Sequence, residues 1–222
     1  MTPEIPIDER LRVHEIYASV QGESTHVGRP CVFVRLTGCN LRCTWCDSEF
    51  TFTGGEHRQI AEVVDEALAF GIDLVEVTGG EPLAQRQCIP LLEQLVARGA
   101  EVLLETSGSI STEHVPPEVR VILDLKPPDS GEVDQNDFTN LARLRPHDEV
   151  KFVLASRRDF DWAVEVIRRE GLDQRVAAVL LSPVWGALEP AELVDWMLAS
   201  KVPARLGLQV HKVIWDPDAR GV

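Results

Sequence analysis

Three cysteines within one short loop constrain this chain more than any other feature. Cys39, Cys43 and Cys46 are spaced four and three positions apart, so their thiolates can converge on one inorganic centre. A structural zinc site normally has four protein ligands, and the next candidates, His57 and Cys88, are not at ligand spacing. An iron–sulfur cluster held by three thiolates would leave one iron open to a small molecule. The loop therefore indicates a reactive metal centre, with a zinc site or a redox thiol cluster as the alternatives.

Composition and charge narrow the class of protein. The chain has 222 residues, 44% of them hydrophobic and 26% charged, which is typical of one globular domain spanning residues 1–222. Its net charge of -14 and its pI near 4.8 argue against nucleic acid or an anionic membrane as a partner, because both bind a basic face. We therefore expect a small-molecule substrate.

Cysteine usage and the start of the chain favour a cytoplasmic protein. Three of the five cysteines share one loop, which is unlike a disulfide framework. Cys31 lies in an apolar run and Cys88 in a helical pattern, so we interpret both as buried residues rather than ligands. The first ten residues lack the basic-then-apolar order of a signal peptide, and the chain has no run of about 20 apolar residues.

Apolar periodicity predicts strands that alternate with helices. Strands are predicted at 13–19, 31–36, 73–77, 101–105, 120–123, 149–154, 175–181 and 204–208, and helices at 58–70, 83–98, 158–170 and 189–199. Such alternation favours parallel βα units, in which ligands lie at the carboxyl ends of the strands. The fold class that fits best is α/β, a partial (β/α)6 barrel in a single domain.

A glycine-rich turn, Thr78-Gly79-Gly80-Glu81-Pro82, follows one of these strands. Paired glycines let a backbone approach a ligand closely with its N–H and C=O groups exposed. Without other signals the run could equally be an ordinary turn. Together with the three cysteines and Trp45 before the last of them, it resembles the two motifs of radical S-adenosylmethionine (SAM) enzymes.

The resemblance implies a [4Fe–4S] cluster bound by Cys39, Cys43 and Cys46, with SAM chelated to the open iron. In that superfamily one electron from the cluster cleaves SAM to a 5′-deoxyadenosyl radical. It also implies the partial (β/α)6 radical-SAM barrel and an external one-electron reductant of the flavodoxin or ferredoxin type.

Further motifs resemble the 7-carboxy-7-deazaguanine synthase family over nearly the whole chain. They are Glu15-Ile16, Val20-Gln21-Gly22-Glu23, Arg35, Cys46-Asp47-Ser48 and Gln209-Val210-His211-Lys212. Such enzymes convert 6-carboxy-5,6,7,8-tetrahydropterin to 7-carboxy-7-deazaguanine with loss of ammonia, early in the synthesis of queuosine and related 7-deazapurines. The resemblance implies hydrogen abstraction from C6 of the pterin, contraction of its ring, SAM used as a regenerated cofactor, and a homodimer.

The same resemblance assigns site residues in this chain. Substrate contacts are expected from Val20, Gln21, Gly22, Arg35, Thr78, His211 and the carboxylate of Val222, with Arg35 and His211 as catalytic residues. SAM contacts are expected from Trp45, Cys46, Asp47, Gly80 and Ser107, and more weakly from Lys126 and from Ser182 to Trp185. Ser48 is expected to bind Mg²⁺ with the substrate, since that ion prefers oxygen ligands.

Alternatives stay open for individual residues and for the function. Arg35 could be a solvated edge residue, Ser48 a solvated or capping serine, His211 a packed core residue, and residues 216–222 a frayed tail. A guanidinium nevertheless suits a planar carboxylate, and Trp215 and Pro217 could fold the tail back. The rival functions are a glycyl-radical activase, whose substrate is a protein loop, and an electron-transfer or metal-binding module.

Overall fold

One sheet of nine strands runs through the computed structural model, which describes residues 9–222. The strands are β1 (Arg10–Val20), β2 (Pro30–Leu36), β3 (Glu56–Gln59), β4 (Leu74–Gly79), β5 (Glu101–Thr106), β6 (Arg120–Asp124), β7 (Glu149–Leu154), β8 (Ala178–Pro183) and β9 (Arg205–Leu206). The helices are α1 (Ile60–Ala69), α2 (Cys88–Ala97), α3 (Arg157–Glu170), α4 (Pro190–Ser200) and α5 (Val210–Ile214). Residues 1–8, on which part of the signal-peptide argument rests, lie outside the described residues.

The strand order is β3-β1-β2-β4-β5-β6-β7-β8-β9. Neighbours from β2 to β9 pair in parallel, whereas β1 pairs antiparallel with both β2 and β3. The edge strands β3 and β9 are not joined, so the sheet is open. The predicted partial α/β barrel is therefore confirmed. No helix in the described residues is long and apolar enough to cross a membrane.

Two predicted helices begin later than the periodicity indicated. Residues 83–98 were predicted as one helix, but α2 begins only at Cys88, after a short 3-10 turn at Pro82–Ala84. A helix from residue 83 would place Pro90 in its interior, where the ring removes a hydrogen bond and clashes; from Cys88, Pro90 falls in the first turn. The helix predicted from residue 58 begins at Ile60, because β3 pairs with Arg10–Val13 of β1.

Late in the chain the predicted elements also shift. The strand predicted at 175–181 lies at Ala178–Pro183, after a 3-10 turn, and the strand at 204–208 shortens to Arg205–Leu206. The connections from β5 to β6 and from β6 to β7 hold only turns and 3-10 helices in the described chain. No α-helix was predicted in either connection, which agrees with the structure. Both connections are rich in proline, as in Pro116-Pro117 and Pro127-Pro128, which withholds backbone donors from a helix.

The sheet separates an outer core from a small inner one. Residues facing outwards, such as Val75 and Val77 of β4, pack with the apolar sides of the helices. Residues facing inwards form an apolar floor of Cys31, Phe33, Leu74, Leu103 and Ile122, with Tyr17 packed against it. Side chains alternate along a strand, so Glu76 and Thr78 of β4 lie above Leu74 on the inner face. The inner face is therefore apolar at one end and polar at the other.

The turn after β1 crosses the barrel at the amino ends of the strands. Arg29 forms two hydrogen bonds with Glu101 at the start of β5, at 3.0 and 2.6 Å. The Thr25 N–H donates to Glu149 at the start of β7, at 3.0 Å. These contacts fix residues 21–29 across the barrel mouth and so position Gln21 and Glu23.

Candidate active site

Most of the predicted site residues lie at the carboxyl ends of the parallel strands, whereas Val20 to Gly22 lie at the end of the antiparallel strand β1, beside the amino end of β2. The cysteine loop follows β2 and the Gly-Gly turn ends β4, while Ser107 follows β5, Lys126 follows β6, Ser182 lies at the end of β8, and the Gln209–Lys212 segment follows β9. Parallel strands present these ends on one rim of the sheet, which is where open α/β sheets and barrels bind ligands.

Backbone hydrogen bonds hold the cysteine loop. The Thr44 N–H and hydroxyl both donate to the Ser130 carbonyl, at 2.9 and 3.1 Å. The Cys46 N–H donates to the Cys43 carbonyl at 3.2 Å, and the Leu41 N–H donates to the Cys39 thiol at 3.4 Å. All three cysteines are half-buried free thiols. The loop thus presents three thiols from an ordered backbone.

One basic group, Lys126, acts on all three thiols, and Arg42 also acts on Cys39. Burial raises the pKa of all three thiols, to about 11 for Cys43. The Lys126 ammonium acts in the opposite direction on each of them. Metals bind the thiolate, so Lys126 favours the form of the cysteines that ligates.

Three thiols from one loop suit a [4Fe–4S] cluster, in which each thiolate would bind a different iron. Within residues 9–222, no three His, Cys, Asp or Glu side chains are grouped so that they could hold one metal ion.

The Gly-Gly turn packs directly against the cysteine loop. A Cβ atom on Gly80 would lie 2.7 Å from the Cβ of Cys39, closer than real carbon atoms approach. The fully buried Glu81 accepts hydrogen bonds from the Thr106 hydroxyl at 2.8 Å and from the Ser107 N–H and hydroxyl at 2.8 and 2.6 Å. Glu81 therefore joins the turn to the end of β5 and holds two predicted SAM residues, Gly80 and Ser107, side by side.

Arg35 is held on the inner wall. Its Nε donates to Glu15 at 2.8 Å and its Nη2 donates to the Tyr17 hydroxyl at 2.8 Å. The Arg35 side chain is 16% exposed, so the structure does not place it on a solvated edge. A guanidinium has five N–H donors, and these two bonds leave three for a ligand.

The turn after β1 meets the chain end at Gly22. Val20 ends β1, and the Val210 N–H donates to the Gly22 carbonyl at 3.0 Å. A Cβ atom on Gly22 would lie 2.5 Å from Nδ1 of His211, so a larger residue there would displace the ring. The half-buried His211 ring therefore lies against the backbone of residue 22 and is not a core residue.

A buried lysine joins several strands inside the barrel. Lys151 of β7 is 3% exposed, and its ammonium contacts three carboxylates, Glu23 at 2.6 Å, Glu105 and, at 3.8 Å, Asp124. Burial acts to raise the pKa of Glu23, but Lys151 outweighs it and lowers that pKa to about 2. The Thr78 hydroxyl approaches Glu105 at 3.4 Å, so this predicted substrate residue borders the same group of charges.

Asp47 ties the cysteine loop to the chain end. Its carboxylate accepts from the Lys212 ammonium at 2.8 Å and from the Gln209 amide at 3.2 Å. Gln209 also donates to Glu23 at 2.9 Å. The half-buried Ser48 donates its hydroxyl to Asp47 at 3.0 Å, next to the cysteine loop. The predicted Mg²⁺ ligand and the predicted substrate motifs are thus brought together.

The weaker candidates for SAM contact differ in exposure. Lys126 forms an ion pair with Asp124 at 2.9 Å, and Ser182 is 3% exposed beside Gly207, which has no side chain to cover it. Trp45 is half-buried beside the cysteines, whereas Trp185 is 49% exposed. Lys126 and Ser182 thus line the barrel, and Trp185 lies at its outer rim.

The chain end returns to the Arg35 side of the barrel. The Arg220 guanidinium lies 4.3 Å from the centre of the Phe50 ring, and the Arg35 guanidinium lies 5.9 Å from the same centre. Val222 is half-buried, unlike the exposed residues 213–221 before it. The segment therefore lies against the domain, and contact between the Val222 carboxylate and the substrate stays a prediction.

Comparisons with known proteins agree with the geometry. Residues 33–184 match the radical SAM superfamily. The 7-carboxy-7-deazaguanine synthase of Koribacter versatilis is 46% identical over 96% of this chain and 100% of its own length. The enzyme of the same name from Chlorobaculum tepidum is 44% identical over 96% and 97%. The chain belongs to the 7-carboxy-7-deazaguanine synthase family of radical SAM enzymes.

Two solved structures share the fold. QueE from Escherichia coli superposes with a TM-score of 0.75 over 90% of this chain and 94% of its own, at 23% identity. TYW1 with a lysine-pyruvate adduct bound superposes with a TM-score of 0.57 over 76% of this chain. As a radical SAM enzyme the protein uses a [4Fe–4S] cluster and SAM, and the three cysteines and the Gly-Gly turn are the residues that fit them.

Sequence reasoning missed several residues of this radical SAM site. Lys151 and Glu149 were predicted only as part of a strand, although charged residues at alternate positions of a buried strand indicate a polar inner face. Glu81 was treated as part of a turn. Tyr17, which fixes Arg35, gave no signal beyond its place on a strand.

Proposed function

We propose that this protein converts 6-carboxy-5,6,7,8-tetrahydropterin to 7-carboxy-7-deazaguanine with loss of ammonia. The observation that carries the proposal is that Arg35 and Thr78 pair side by side at the ends of β2 and β4, which bear the cysteine loop and the Gly-Gly turn, in a chain whose relatives of that name match it over 96% of its length. When bound, the cluster and SAM supply the radical that begins the reaction.

Arg35 and Thr78 define the substrate side of the pocket. Arg35, oriented by Glu15 and Tyr17, has free N–H groups for the carboxylate of the pterin through two parallel hydrogen bonds. Thr78 lies beside Arg35 in the pairing of β2 with β4, so its hydroxyl is available to the same ligand. The pterin is also bound by the turn after β1 and by the chain-end segment that packs against it, through Val20, Gln21, Gly22 and His211.

The other predicted contacts complete the site. The residues that would hold SAM beside the cluster are Trp45, Cys46, Asp47, Gly80, Ser107, Lys126 and Ser182. Ser48 would supply one oxygen ligand to Mg²⁺, an ion that prefers oxygen ligands and would orient the substrate. The Val222 carboxylate accepts from the N–H donors on the pyrimidine edge of the pterin.

The wider setting also follows the family. We infer a one-electron donor of the flavodoxin or ferredoxin type, a homodimer, and a cytoplasmic protein. The continuous sheet from β1 to β9 supports a single domain. Exposed apolar residues near the chain end, Leu208, Val213 and Ile214, support a second copy as partner.

Anaerobic turnover tests the proposed reaction. The protein is reconstituted with iron and sulfide and incubated with SAM, Mg²⁺, dithionite and the carboxypterin, with a matched reaction that lacks SAM. We expect a deazapurine absorbance, the product mass and released ammonia only in the complete reaction. SAM cleavage without this product would refute the proposed substrate. SAM cleavage that needs an added partner protein would instead indicate a glycyl-radical activase. Failure to bind SAM would indicate an electron-transfer module.

A further inference from the structure

The barrel interior holds more carboxylates than the buried lysines can pair. Lys151 contacts three of them (Glu23, Glu105 and Asp124), and Lys126 contacts one of the same three. Glu76, in the middle of β4, is 2% exposed on the same inner face. None of the ion pairs within residues 9–222 reaches Glu76. A buried carboxylate without a cation is costly in its charged form, so this position favours the neutral acid.

Glu76 contacts a residue of the predicted substrate motif. The Gln21 side-chain oxygen accepts from the backbone N–H groups of Glu23 at 3.0 Å and Ser24 at 2.9 Å. Two donors on that oxygen fix the orientation of the amide. Its NH₂ group therefore faces Glu76 and donates to Oε2 at 3.1 Å. Gln21 is itself 2% exposed, so this bond is shielded from water.

We propose that Glu76 is a positioning residue that acts as a neutral carboxylic acid and holds Gln21, and with it the turn of residues 20–23, in place for the substrate. The inference rests on the proposed function, because it assigns Glu76 to the binding of the same pterin. Glu76 lies behind Gln21 and acts through it.

The groups that face Glu76 explain its protonation. Burial, and then the charge of Glu105, raise the pKa of Glu76 to about 8. The groups packed around it are Tyr17 on β1, Cys31 on β2, Glu105 on β5, Lys151 on β7 and Glu23 in the turn. Burial raises the pKa of Tyr17 and of Cys31, so both are neutral. Lys151 already contacts Glu23 and Glu105, so ionised Glu76 would add an unpaired negative charge beside the turn.

Two substitutions at position 76 separate a positioning role from simple packing. Glu76→Gln keeps a neutral polar group of the same shape, and Glu76→Leu keeps the volume without a hydrogen bond. Glu93→Gln, on the exposed side of α2, is the control. We expect the KM of the wild type for the carboxypterin to rise as the pH increases from about 7 to about 9, and the KM of Glu76→Gln to show no such rise. At pH 7 the KM of Glu76→Leu should be about tenfold higher than that of the wild type, with a much smaller change in kcat.

A second readout does not depend on activity. In urea unfolding of the reconstituted protein, the midpoint of Glu76→Gln should exceed that of the wild type by a margin that grows as the pH rises from about 5 to about 8. Over this range the Glu76 carboxyl ionises readily in the unfolded wild type but not in the folded one, which destabilises the folded wild type. Equal pH profiles for the wild type and Glu76→Gln would refute the neutral acid. A wild-type KM in Glu76→Leu would refute the positioning role. If no form, the wild type included, gave the deazapurine, the proposed function would fail while the urea comparison still decided the state of Glu76.

Discussion

Replacing Lys151 by methionine should destabilise the fold through the carboxylates it leaves behind. Methionine keeps the length of the side chain but removes the charge that contacts Glu23 at 2.6 Å and also contacts Glu105. Removing one partner of a buried ion pair typically costs about 3–5 kcal/mol. The lowered pKa of Glu23 gives an independent value for this free energy. It falls from 4.5 to about 2, and each pKa unit corresponds to about 1.4 kcal/mol. The contribution of Glu23 alone is therefore about 3 kcal/mol.

The direction of the pH dependence follows from the lowered pKa. A carboxylate whose pKa is lower in the folded state stabilises the protein above its unfolded pKa, and this contribution is lost as the pH falls through the folded value. The difference between the wild type and Lys151→Met should thus be full at pH 7 and should shrink as the pH falls from about 4.5 towards 2.

Urea unfolding followed by tryptophan fluorescence measures the effect. At about 1–3 kcal/mol per molar urea, the midpoint of Lys151→Met should fall by about 1–3 M at pH 7. Lys201→Met, at an exposed position after α4, should leave it unchanged. The double variant Lys151→Met with Glu23→Gln should recover part of the loss, since it removes one of the unpaired charges. An unchanged midpoint in Lys151→Met would refute the reasoning. So would a double variant whose loss of stability equals the sum of the losses measured for Lys151→Met and Glu23→Gln separately.

The other predictions concern the pocket. Arg35→Lys should raise the KM for the carboxypterin by about tenfold to a hundredfold in steady-state assays, because an ammonium cannot form the two-bond fork, while SAM cleavage without substrate should persist. A wild-type KM would return Arg35 to a structural role. Ser48→Ala should lower turnover and flatten its dependence on added Mg²⁺, with cluster content kept; a wild-type Mg²⁺ titration would place the metal elsewhere. Gly22→Ala should displace the His211 ring and raise KM without changing iron content, and unchanged kinetics would show that the ring position does not matter.

Much of the fold follows from local patterns. Strands such as Leu74–Gly79 and Glu149–Leu154 lie within two residues of their predicted positions, because β-branched and apolar residues recur along them and both faces are buried. The cysteine loop and the Gly-Gly turn were found because their spacing alone carries the chemistry. Elements whose ends depend on another segment, such as β3, could not be placed from periodicity.

The charged interior could not be predicted because it joins distant parts of the chain. Lys151 contacts Glu23 and Glu105, which are 128 and 46 positions away in sequence. Glu76 and Gln21 are separated by 55 positions. Nothing in a local pattern indicates which buried charges meet, since the strand order of the sheet decides it. The inner faces of β4, β5 and β7 nevertheless carried a signal, namely charged residues within otherwise largely apolar strands.

A comparison of two cysteine variants tests the central claim most directly, namely that the loop of residues 39–46 holds the cluster that drives this reaction. Cys43→Ala and Cys31→Ala remove the same atom, one from a half-buried thiol in the loop and the other from a fully buried thiol in the barrel floor. Iron and sulfide per chain, with product formed from the carboxypterin, are measured after identical anaerobic reconstitution. The account predicts loss of the cluster and of all product in Cys43→Ala, with both kept in Cys31→Ala. Wild-type iron content and turnover in Cys43→Ala would contradict it.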